Sequence, residues 1–409
     1  MAKILHKIYN KTKNIILDFR STYYLRKVSE KKYPKDKRIK IGFIVFEPET
    51  WDKLNPIYNE FRFRDDVECK IIIVPSYDQE LRLITTYGNE LQYFKNIDKD
   101  AVLAYNHNSW IDISNDGYDY IFYQDPYNVH MPETLVSDTV VKFSKICYIP
   151  YGFSGSNVFI EGGTNKDFFR NVSFGFMDTK YVFDTLNNRY QSNVSKGYQR
   201  FFKIGYPAFE FFSTINRKKK IETILWAPRW SYDPMVGGSH FLEYKCYFLN
   251  LARKFKNIRF ILRPHPMMFK NLIDNKMISE NDVNEYIKDL KKNNIELSIQ
   301  NDVASDFEKA DLLITDYSSI IPMFFIMDKP IIYCPSQIIL NHEYNFLSEG
   351  MYISNSWNVI EKNIELLING EDNLKNIRKK HVEILKKEHL GASKRIANLI
   401  LDDYKSNSI

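Results

Sequence analysis

Three segments in the second half of the chain carry residue types that bind and transfer phosphate groups. The first is Arg263-Pro-His-Pro266, which directly follows an apolar run typical of a buried strand. Its two prolines prevent the strand from continuing into a helix and hold Arg263 and His265 at the strand end. Arginine suits bidentate phosphate binding, and histidine can donate a hydrogen bond or a proton to a leaving phosphate. The alternative is a stiff turn with an incidental histidine.

The other two segments also follow apolar runs. In residues 310–320, Ala-Asp-Leu-Leu-Ile-Thr-Asp-Tyr-Ser-Ser-Ile, either Asp316 or Ser318 can cap a following helix. Free N–H groups of its first turn, with the hydroxyls of Ser318 and Ser319, would make an anion site, and plain capping is the alternative. In Trp-Ala-Pro-Arg-Trp-Ser, Arg229 is a further candidate phosphate contact or else a surface ion-pair residue.

One loop in the first half offers candidate general bases. The segment Tyr123-Gln-Asp-Pro-Tyr-Asn-Val-His-Met-Pro132 follows an apolar run and places Asp125 and His130 near a strand end. Asp125 follows the strand almost at once, so the sheet fixes its position, and a carboxylate needs no deprotonation at neutral pH. We therefore rank Asp125 ahead of His130 as the base. The alternative is a polar loop in which Asp125 only caps the Asp-Pro turn.

Short apolar runs separated by helix-length segments must position these residues. In the first half, the predicted strands are 41–46, 70–75, 101–105, 118–123 and 146–150. In the second half, they are 223–227, 258–262, 295–299, 311–315 and 330–334. The predicted helices are 51–61, 240–256 with Ser239 as its cap, 281–292, and those that begin at Trp357. Strands that are continuous apolar runs indicate parallel sheets covered on both faces.

This repeated layout predicts an α/β protein of two doubly wound, Rossmann-like domains. A chain of 409 residues also exceeds what one hydrophobic core usually supports. The expected parts are a basic amphipathic arm over 1–39, an acceptor-side domain over 40–215, a nucleotide-donor domain over 221–385 and a C-terminal helix over 386–409. Ligands of such sheets bind outside the carboxyl ends of the strands, so tandem sheets would put the site in a cleft between the domains.

Positive charge is concentrated at the N-terminus. Residues 1–40 carry 13 Lys and Arg against 3 Asp and Glu, a net +10, whereas the whole chain is only +6. The apolar residues that recur there at helical spacings are Ile4, Ile8, Ile15, Phe19 and Tyr23. This spacing predicts an amphipathic helix that can lie on an anionic membrane surface; the alternative is a helix packed on the body with a solvated basic face. Because the body is not basic, we expect no nucleic-acid partner.

Several other functional classes lose support from the sequence. No apolar run reaches the roughly 18 residues of a membrane span, and the first residues show no secretory signal. The four cysteines are far apart, give no zinc or disulfide framework, and fit a reducing cytoplasm. The chain has no Walker A motif, no GxGxxG after its first strand and no Asp-x-Asp pair at a strand end, so we expect no metal and no cofactor.

Taken in order, Pro-Arg-Trp, Arg-Pro-His-Pro and Ala-Asp-Leu-Leu-Ile-Thr-Asp-Tyr-Ser-Ser resemble the CDP-glycerol:poly(glycerophosphate) glycerophosphotransferase family, the teichoic-acid primases and polymerases. The similarity covers about residues 205–400. It implies a GT-B fold with the nucleotide bound by the C-terminal domain, and metal-independent transfer of a polyol phosphate from a CDP-activated donor. By this resemblance, His265 lies at the donor phosphates, and Asp316, Ser318 and Ser319 line the nucleotide–phosphate pocket.

The first half departs from the pattern of that family. The family commonly has Trp-His-Gly after the corresponding strand, with its histidine as the proposed base. This chain has Gln124-Asp-Pro-Tyr127 instead, so Tyr127 replaces that histidine by position. Asp125 or His130 would then serve as base, or the substrate and mechanism differ. Gln124 and Tyr127 are expected on the acceptor side, with Tyr127 stacking on the acceptor, because a tyrosine pKa of about 10 suits a base poorly.

The resemblance favours an enzyme of a divergent branch that makes a teichoic acid, a capsule or another cell-surface polymer. It would move glycerol phosphate or a related polyol phosphate from a CDP-polyol to a lipid-linked or polymeric acceptor and release CMP. Arg263, His265 and the helix N-terminus after Asp316 would stabilise phosphate charge. We expect a cytoplasmic, peripheral enzyme on the inner face of the plasma membrane. Two alternatives stay open: a GT-B glycosyltransferase that uses a nucleotide sugar, and a non-catalytic polymer- or membrane-binding relative.

Overall fold

The structure is a computed structural model. It describes residues 2–78, 83–86, 88–156, 163–215, 217–218, 220–233, 238–299, 303–336 and 340–409. The chain divides into two compact units: the first comprises Met1–Tyr151, Ile160–Ala208 and Gly391–Ile409, and the second comprises Gly152–Phe159 and Phe209–Leu390. The last segment of the chain therefore belongs to the first unit.

Parallel strands form the centre of the first unit. Its strands, in chain order, are β1 (Ile39–Val45), β2 (Val67–Ile73), β3 (Ser76–Asp78), β4 (Leu83–Thr86), β5 (Val102–Leu103), β6 (Tyr105–Asn106), β7 (Ser109–Trp110), β8 (Tyr120–Tyr123), β9 (Lys145–Tyr148), β10 (Val172–Met177) and β11 (Arg200–Lys203). Within the described residues, seven of them form a parallel sheet in the order β11-β10-β9-β8-β1-β2-β5. The strand order reverses between β1 and β8, which makes this the switch point where such sheets bind ligands.

The second unit repeats this architecture. Its strands are β12 (Thr223–Ala227), β13 (Arg259–Leu262), β14 (Ile295–Leu297), β15 (Leu312–Thr315), β16 (Ile331–Tyr333) and β17 (Tyr352–Ile353). In the part of the chain that the structure describes, they form a parallel sheet in the order β14-β13-β12-β15-β16-β17. Counted within the unit, this is the 3-2-1-4-5-6 order of dinucleotide-binding sheets, with the switch point between β12 and β15.

Helices connect the strands of both sheets. In chain order they are α1 (Ala2–Ser29), α2 (Asn55–Arg62), α3 (Asn89–Ile97), α4 (Ser137–Val140), α5 (Lys166–Phe169), α6 (Lys180–Arg189), α7 (Gln191–Val194), α8 (Ala208–Phe212), α9 (Phe241–Lys254), α10 (Met268–Asp274), α11 (Glu280–Lys292), α12 (Ala304–Lys309), α13 (Ile321–Phe325), α14 (Trp357–Ile368), α15 (Lys375–His389) and α16 (Ala392–Ser406). Short 3-10 turns span Pro48–Thr50, Asn128–His130 and Asn345–Gly350. Side-chain capping fixes the start of α11, where Ser279 and Asp282 form a reciprocal capping box.

Every strand predicted from an apolar run is present, and the predicted α/β fold is confirmed. Strands β3, β4, β7, β10, β11 and β17 were not predicted. In β10, Ser173 and Gly175 interrupt the apolar run, yet all six residues are buried. Gly175 is needed there because a Cβ would lie 2.5 Å from the ring of Phe201 on the neighbouring strand. The helix predicted over 51–61 begins only at Asn55, because Pro48–Thr50 forms a 3-10 turn first.

Helix α1 packs on the first unit through a different face from the predicted apolar stripe. Leu25 and Val28 are buried, and the hydroxyl of buried Ser21 donates to the side chain of Asn171 at 2.7 Å. The exposed side chains include three of the five stripe residues, Ile15 at 46%, Phe19 at 75% and Tyr23 at 62%, together with Ile16 at 61%. The side chains of Ile4 and Ile8 lie outside the described residues. Among the described helices, none is long and apolar enough to cross a membrane.

Candidate active site

The loops after β12 and β15 leave the second sheet side by side at its switch point. Ala227 pairs in register with Thr315, so Arg229 and Asp316 follow at the same edge. The buried Asp316 carboxylate accepts a hydrogen bond from the backbone N–H of Arg229 at 2.8 Å. The Arg229 guanidinium donates to the carbonyl of Tyr317 at 3.0 Å. The sheet therefore brings these two predicted residues together.

His240, directly before α9, joins this cluster, although the sequence pattern marks its segment only as the start of a helix. Its Nδ1 lies 2.5 Å from Oδ1 of Asp316, and its backbone N–H donates to Oδ2 of the same carboxylate at 3.3 Å. The Tyr244 ring stacks on the imidazole with a centroid distance of 5.0 Å. The hydrogen bond to Asp316 raises the pKa of His240, although burial acts in the opposite direction. The pair can therefore hold a proton at the switch point, as an ion pair between the imidazolium and the carboxylate.

His265 follows the neighbouring strand β13 and is kept neutral. Its ring lies 5.8 Å from the ring of Trp230, and its Nδ1 accepts the backbone N–H of Met267 at 3.2 Å. The residue is exposed at the surface, yet reduced hydration of the ring, with the positive charges of Arg229 and Arg263, lowers the pKa of His265 to about 4. With Nδ1 as an acceptor, the neutral ring carries its proton on Nε2. His265 can therefore donate a hydrogen bond to an anion, but it is not a reservoir of protons at neutral pH.

Arg263 is tied into the second unit by an ion pair. Its guanidinium lies 2.6 Å from Oδ2 of Asp306, which is fully buried, and donates to the hydroxyl of Ser298 at 3.3 Å. The charge of Arg263 is thus largely balanced inside the protein. Its geometry suits a residue that fixes the Arg-Pro-His-Pro loop better than one that clamps a ligand.

Ser318 and Ser319 lie in the turn between Asp316 and α13, and both are partly exposed. The prediction that Asp316 or Ser318 caps the helix is wrong, because the N-cap is Ile320 and no side chain caps it. Asp316 is instead engaged by Arg229 and His240. Ser318 accepts the N–H of Ile320 only at 3.4 Å, so its hydroxyl proton stays available to a ligand.

At the switch point of the first sheet, Gln124 joins the ends of β1 and β8. Ile44 pairs in register with Tyr123, so the residues that follow leave the sheet together. The fully buried Gln124 amide accepts the N–H groups of Phe46 and Glu47 at 2.7 and 2.9 Å and donates to the carbonyl of Glu47. Its oxygen and nitrogen both form hydrogen bonds with backbone groups, so Gln124 positions the loop that follows it.

Asp125 and His130 form a second histidine–aspartate pair in this loop. Oδ2 of buried Asp125 lies 2.5 Å from Nδ1 of His130, and its Oδ1 accepts the N–H of Tyr127 at 3.1 Å. Asp125 therefore caps the turn and also orients the imidazole. The His130 side chain is 43% exposed, and with Nδ1 facing Asp125 its Nε2 is the remaining ring nitrogen. The hydrogen bond to Asp125 raises the pKa of His130 against the effect of burial.

Two further side chains adjoin this pair. The hydroxyl groups of Tyr127 and Tyr151 are 3.3 Å apart, and burial raises the pKa of Tyr127, which makes it a still poorer base. Lys53, not considered in the sequence analysis, is fully buried, and its Nζ has no hydrogen-bond partner among the described residues. Burial lowers the pKa of Lys53 to about 7, although nearby carboxylates that include Asp125 raise it. No sequence motif marks this lysine; only burial reveals it.

The described residues contain no group of three His, Cys, Asp or Glu side chains that could hold a metal ion. Two doubly wound parallel sheets with polar clusters at their switch points place the protein in the GT-B fold class. Solved structures with this fold include a UDP-GlcNAc 2-epimerase from Neisseria meningitidis bound to UDP-GlcNAc, 14% identical with a TM-score of 0.57 over 89% of this chain and 100% of that chain. The wall teichoic acid polymerase TagF, in a variant soaked with CDPG, is 15% identical with a TM-score of 0.55 over 99% and 98%.

The chain belongs to the CDP-glycerol:poly(glycerophosphate) glycerophosphotransferase family, whose model matches residues 197–401, half of the sequence. The resemblance inferred from the three ordered motifs is thereby confirmed, and the protein is an enzyme of the glycerophosphotransferase type. No curated protein matches the chain at a significant level. The family match includes Arg229, His240, His265 and Asp316, whereas Asp125 and His130 lie before it.

Proposed function

We propose that the enzyme transfers glycerol phosphate, or a related polyol phosphate, from a CDP-activated donor to a hydroxyl group of a lipid-linked or polymeric acceptor. The product would be a cell-surface polymer such as a teichoic acid or a capsule. Family membership supports this donor class. The residue assignment rests on one observation: each sheet presents a histidine–aspartate pair at its switch point, His130 with Asp125 and His240 with Asp316.

The reaction needs one base and several groups that stabilise phosphate charge. The acceptor oxygen bonds to the β-phosphorus while the bond from that phosphorus to the CMP oxygen breaks. The acceptor hydroxyl loses its proton, and CMP leaves as a phosphate monoester. Because the second pKa of such a phosphate is about 6, CMP requires no proton from the enzyme at neutral pH. A general acid is therefore unnecessary, which agrees with a neutral His265.

His130 is the proposed base, and Asp125 is its positioning residue, which reverses the order favoured by the sequence. Both oxygens of Asp125 are engaged, one by the backbone N–H of Tyr127 and one by the His130 ring. His130 Nε2, on a half-exposed ring, is the atom able to take the acceptor proton. The carboxylate fixes the tautomer and stabilises the imidazolium that forms, as in other histidine–carboxylate pairs.

The second unit is proposed to bind the donor phosphates. Arg229 supplies a positive charge and neutral His265 a hydrogen bond from Nε2. Protonated His240 balances the charge of Asp316 and can donate a second hydrogen bond from its own Nε2. Ser318 and Ser319 add hydroxyl donors in the turn after Asp316. Arg263 contributes through the position of the loop that carries His265, because its guanidinium is paired with Asp306. These groups face charge that develops on the phosphates during transfer.

The variant His130→Asn tests the base assignment. The asparagine amide nitrogen replaces Nδ1 as the donor to Asp125, so the turn is kept, but no atom replaces Nε2. Transfer from CDP-glycerol should fall at least about 100-fold, since general bases contribute 10²–10⁴-fold. The matched control is His107→Asn at an exposed histidine of the same unit, whose positive φ of 47° asparagine also tolerates. Wild-type turnover in His130→Asn would refute the assignment.

A donor screen tests the substrate class independently of the base. A ligand that binds only the folded protein stabilises it by about 2.7 kcal/mol at 100 times its Kd. CDP-glycerol, CDP-ribitol and CMP should raise the melting temperature, and UDP-GlcNAc should not. Product analysis should then find polyol phosphate, not sugar, on the acceptor. Stabilisation by UDP-GlcNAc alone, with sugar transfer, would overturn the proposal in favour of a glycosyltransferase.

The enzyme is further proposed to work as a peripheral protein on the inner face of the plasma membrane, held there by α1. Ile15, Ile16, Phe19 and Tyr23 form an exposed apolar ridge on α1, and residues 1–40, which include this helix, carry a net charge of +10. Apolar side chains insert at the headgroup boundary while cations contact anionic lipids. The double variant Ile16→Ser, Phe19→Ser should weaken binding to phosphatidylglycerol vesicles at least about ten-fold, because two apolar side chains no longer insert into the membrane. Undiminished binding would refute this role of α1.

A further inference from the structure

A cavity of about 450 Å³ opens at the amino edge of the first sheet. Its wall combines three lysines with three apolar side chains: Lys27, Val28 and Lys31 of α1, and Tyr118, Lys142 and Phe143. Tyr118 precedes β8, whereas Asp125 follows the same strand. The cavity is therefore at the opposite end of the strands from the proposed base, and the reaction described above uses none of its residues.

The lysines give the cavity an unbalanced positive charge. Lys31 lies 3.3 Å from the buried carboxylate of Asp119, which Lys37 also contacts at 2.9 Å. Lys27 and Lys142 are exposed and have no acidic partner within ion-pair distance among the described residues. Lys27 also stands in the last turn of α1, where the helix dipole is negative and a cation is well placed. Two positive charges at the cavity thus have no paired carboxylate in the described part of the chain.

The apolar ridge of α1 leads directly to this cavity. Ile16, Phe19, Tyr23 and Lys27 follow one another at spacings of three or four residues, which places them along one face of the helix. At a rise of 1.5 Å per residue, this face is about 16 Å long. Inside the cavity, Val28 and Tyr118 are buried, and Phe143 is half-buried. The surface therefore changes from exposed apolar side chains to a lysine-lined cavity with an apolar floor.

We infer that this cavity binds the phosphate-bearing headgroup of an anionic membrane lipid. The inference rests on the membrane role proposed for α1 and adds a defined site that includes Lys142 of the body. A lipid matches both parts of the surface, because its phosphate pairs with Lys27 and Lys142 while its glycerol and upper acyl chain contact the apolar floor and the ridge. A soluble polyanion would match only the lysines.

The test compares two lysine variants of the full chain on phosphatidylcholine vesicles with and without phosphatidylglycerol. Lys142→Ala should weaken binding to the phosphatidylglycerol vesicles about five-fold, because one lysine near an anionic surface contributes about 1 kcal/mol. The control Lys99→Ala removes the same charge from an exposed position of the same unit and should change binding less than two-fold. Monomeric dihexanoyl-phosphatidylglycerol should raise the melting temperature of the wild type but not that of Lys142→Ala.

The outcomes separate the cavity from the ridge. Equal losses in Lys142→Ala and Lys99→Ala would show general electrostatic attraction and overturn the site. If glycerol 3-phosphate or inorganic phosphate stabilises the wild type as well as the short-chain lipid, the cavity is a soluble-anion site and the lipid assignment falls. If Lys142→Ala binds normally while the variant of Ile16 and Phe19 does not, the membrane role of α1 stands and the headgroup site is wrong.

Discussion

Replacement of Lys53 by methionine is expected to stabilise the protein, although it removes an ionisable group that interacts with Asp125. The Lys53 side chain is fully buried, and its Nζ has no hydrogen-bond partner in the described part of the chain. Burial lowers the pKa of Lys53 to about 7, and the carboxylates of Asp52, Asp125 and Glu47 only partly oppose this effect. Methionine keeps a similar length and apolar contact and removes the buried amine.

The change in pKa sets both the size and the pH dependence of the effect. A fall from the ordinary value of 10.5 to about 7 corresponds to about 5 kcal/mol against the charged form. Between these two pH values the unfolded chain binds more protons than the folded chain, so the stability of the wild type rises with pH. The stability gained by Lys53→Met should therefore be at most about 5 kcal/mol at pH 6 and about 2 kcal/mol at pH 9.

Thermal unfolding of both proteins at pH 6 and pH 9 measures this difference, with attention to the transition of the first unit. The matched control is Lys145→Met at a second buried lysine, whose Nζ lies 2.5 Å from Oδ2 of buried Asp403. That variant should lose about 3 kcal/mol, because a buried carboxylate is left without its closest cation. A Lys53→Met protein less stable than the wild type at pH 6, or a gain that does not shrink at pH 9, would refute the reasoning.

Three further predictions concern the second unit and the core. Asp306→Ala should cost about 3 kcal/mol in chemical unfolding, because the mostly buried Arg263 loses the carboxylate that balances its charge; a neutral effect would contradict this. Gly175→Ala should cost about 1–3 kcal/mol by overpacking, since its Cβ would lie 2.5 Å from a neighbouring ring; an unchanged melting temperature would argue against that contact. CDP binding, followed by calorimetry, should weaken as pH rises through the raised pKa of His240, and Asp316→Asn should move this midpoint to lower pH; the same midpoint in both proteins would exclude His240 as its source.

The fold was predictable because most strands are continuous apolar runs. Such runs identify buried parallel strands whatever their neighbours are, and the crossover helices between them leave few topologies. Strand β10 was missed because Ser173 and Gly175 break the run, and only the packing of Phe201 against the glycine explains why the strand is buried. In α1 the spacing predicts a helix correctly, but not which face the body covers. That choice depends on long-range contacts such as Ser21 with Asn171.

The part of the candidate site that was predictable consists of polar residues that directly follow predicted strands. Arg229, Asp316 and His265 lie where parallel strands finish, so sequence order alone places them at one sheet edge. The partners of these residues were not predictable, because His240 and Asp316 are 76 residues apart and meet only through the sheet. For the same reason the sequence cannot show that Arg263 is paired with Asp306, 43 residues away. Lys53 is unusual because it is buried, and it stands in no apolar run that would have predicted its burial.

The two histidine–aspartate pairs have the same geometry but make opposite demands on pH. In each pair a carboxylate 2.5 Å from the imidazole raises the histidine pKa. His130 must be neutral to accept a proton, so turnover should rise as pH increases through its pKa. His240 must be protonated to attract the donor phosphates, so donor binding should fall as pH increases through its own. Turnover therefore needs a pH at which neutral His130 and protonated His240 are both present, which predicts a bell-shaped dependence of kcat/KM on pH. Asp125→Asn should move only the acid limb and Asp316→Asn only the alkaline limb, because each carboxylate acts on its own histidine.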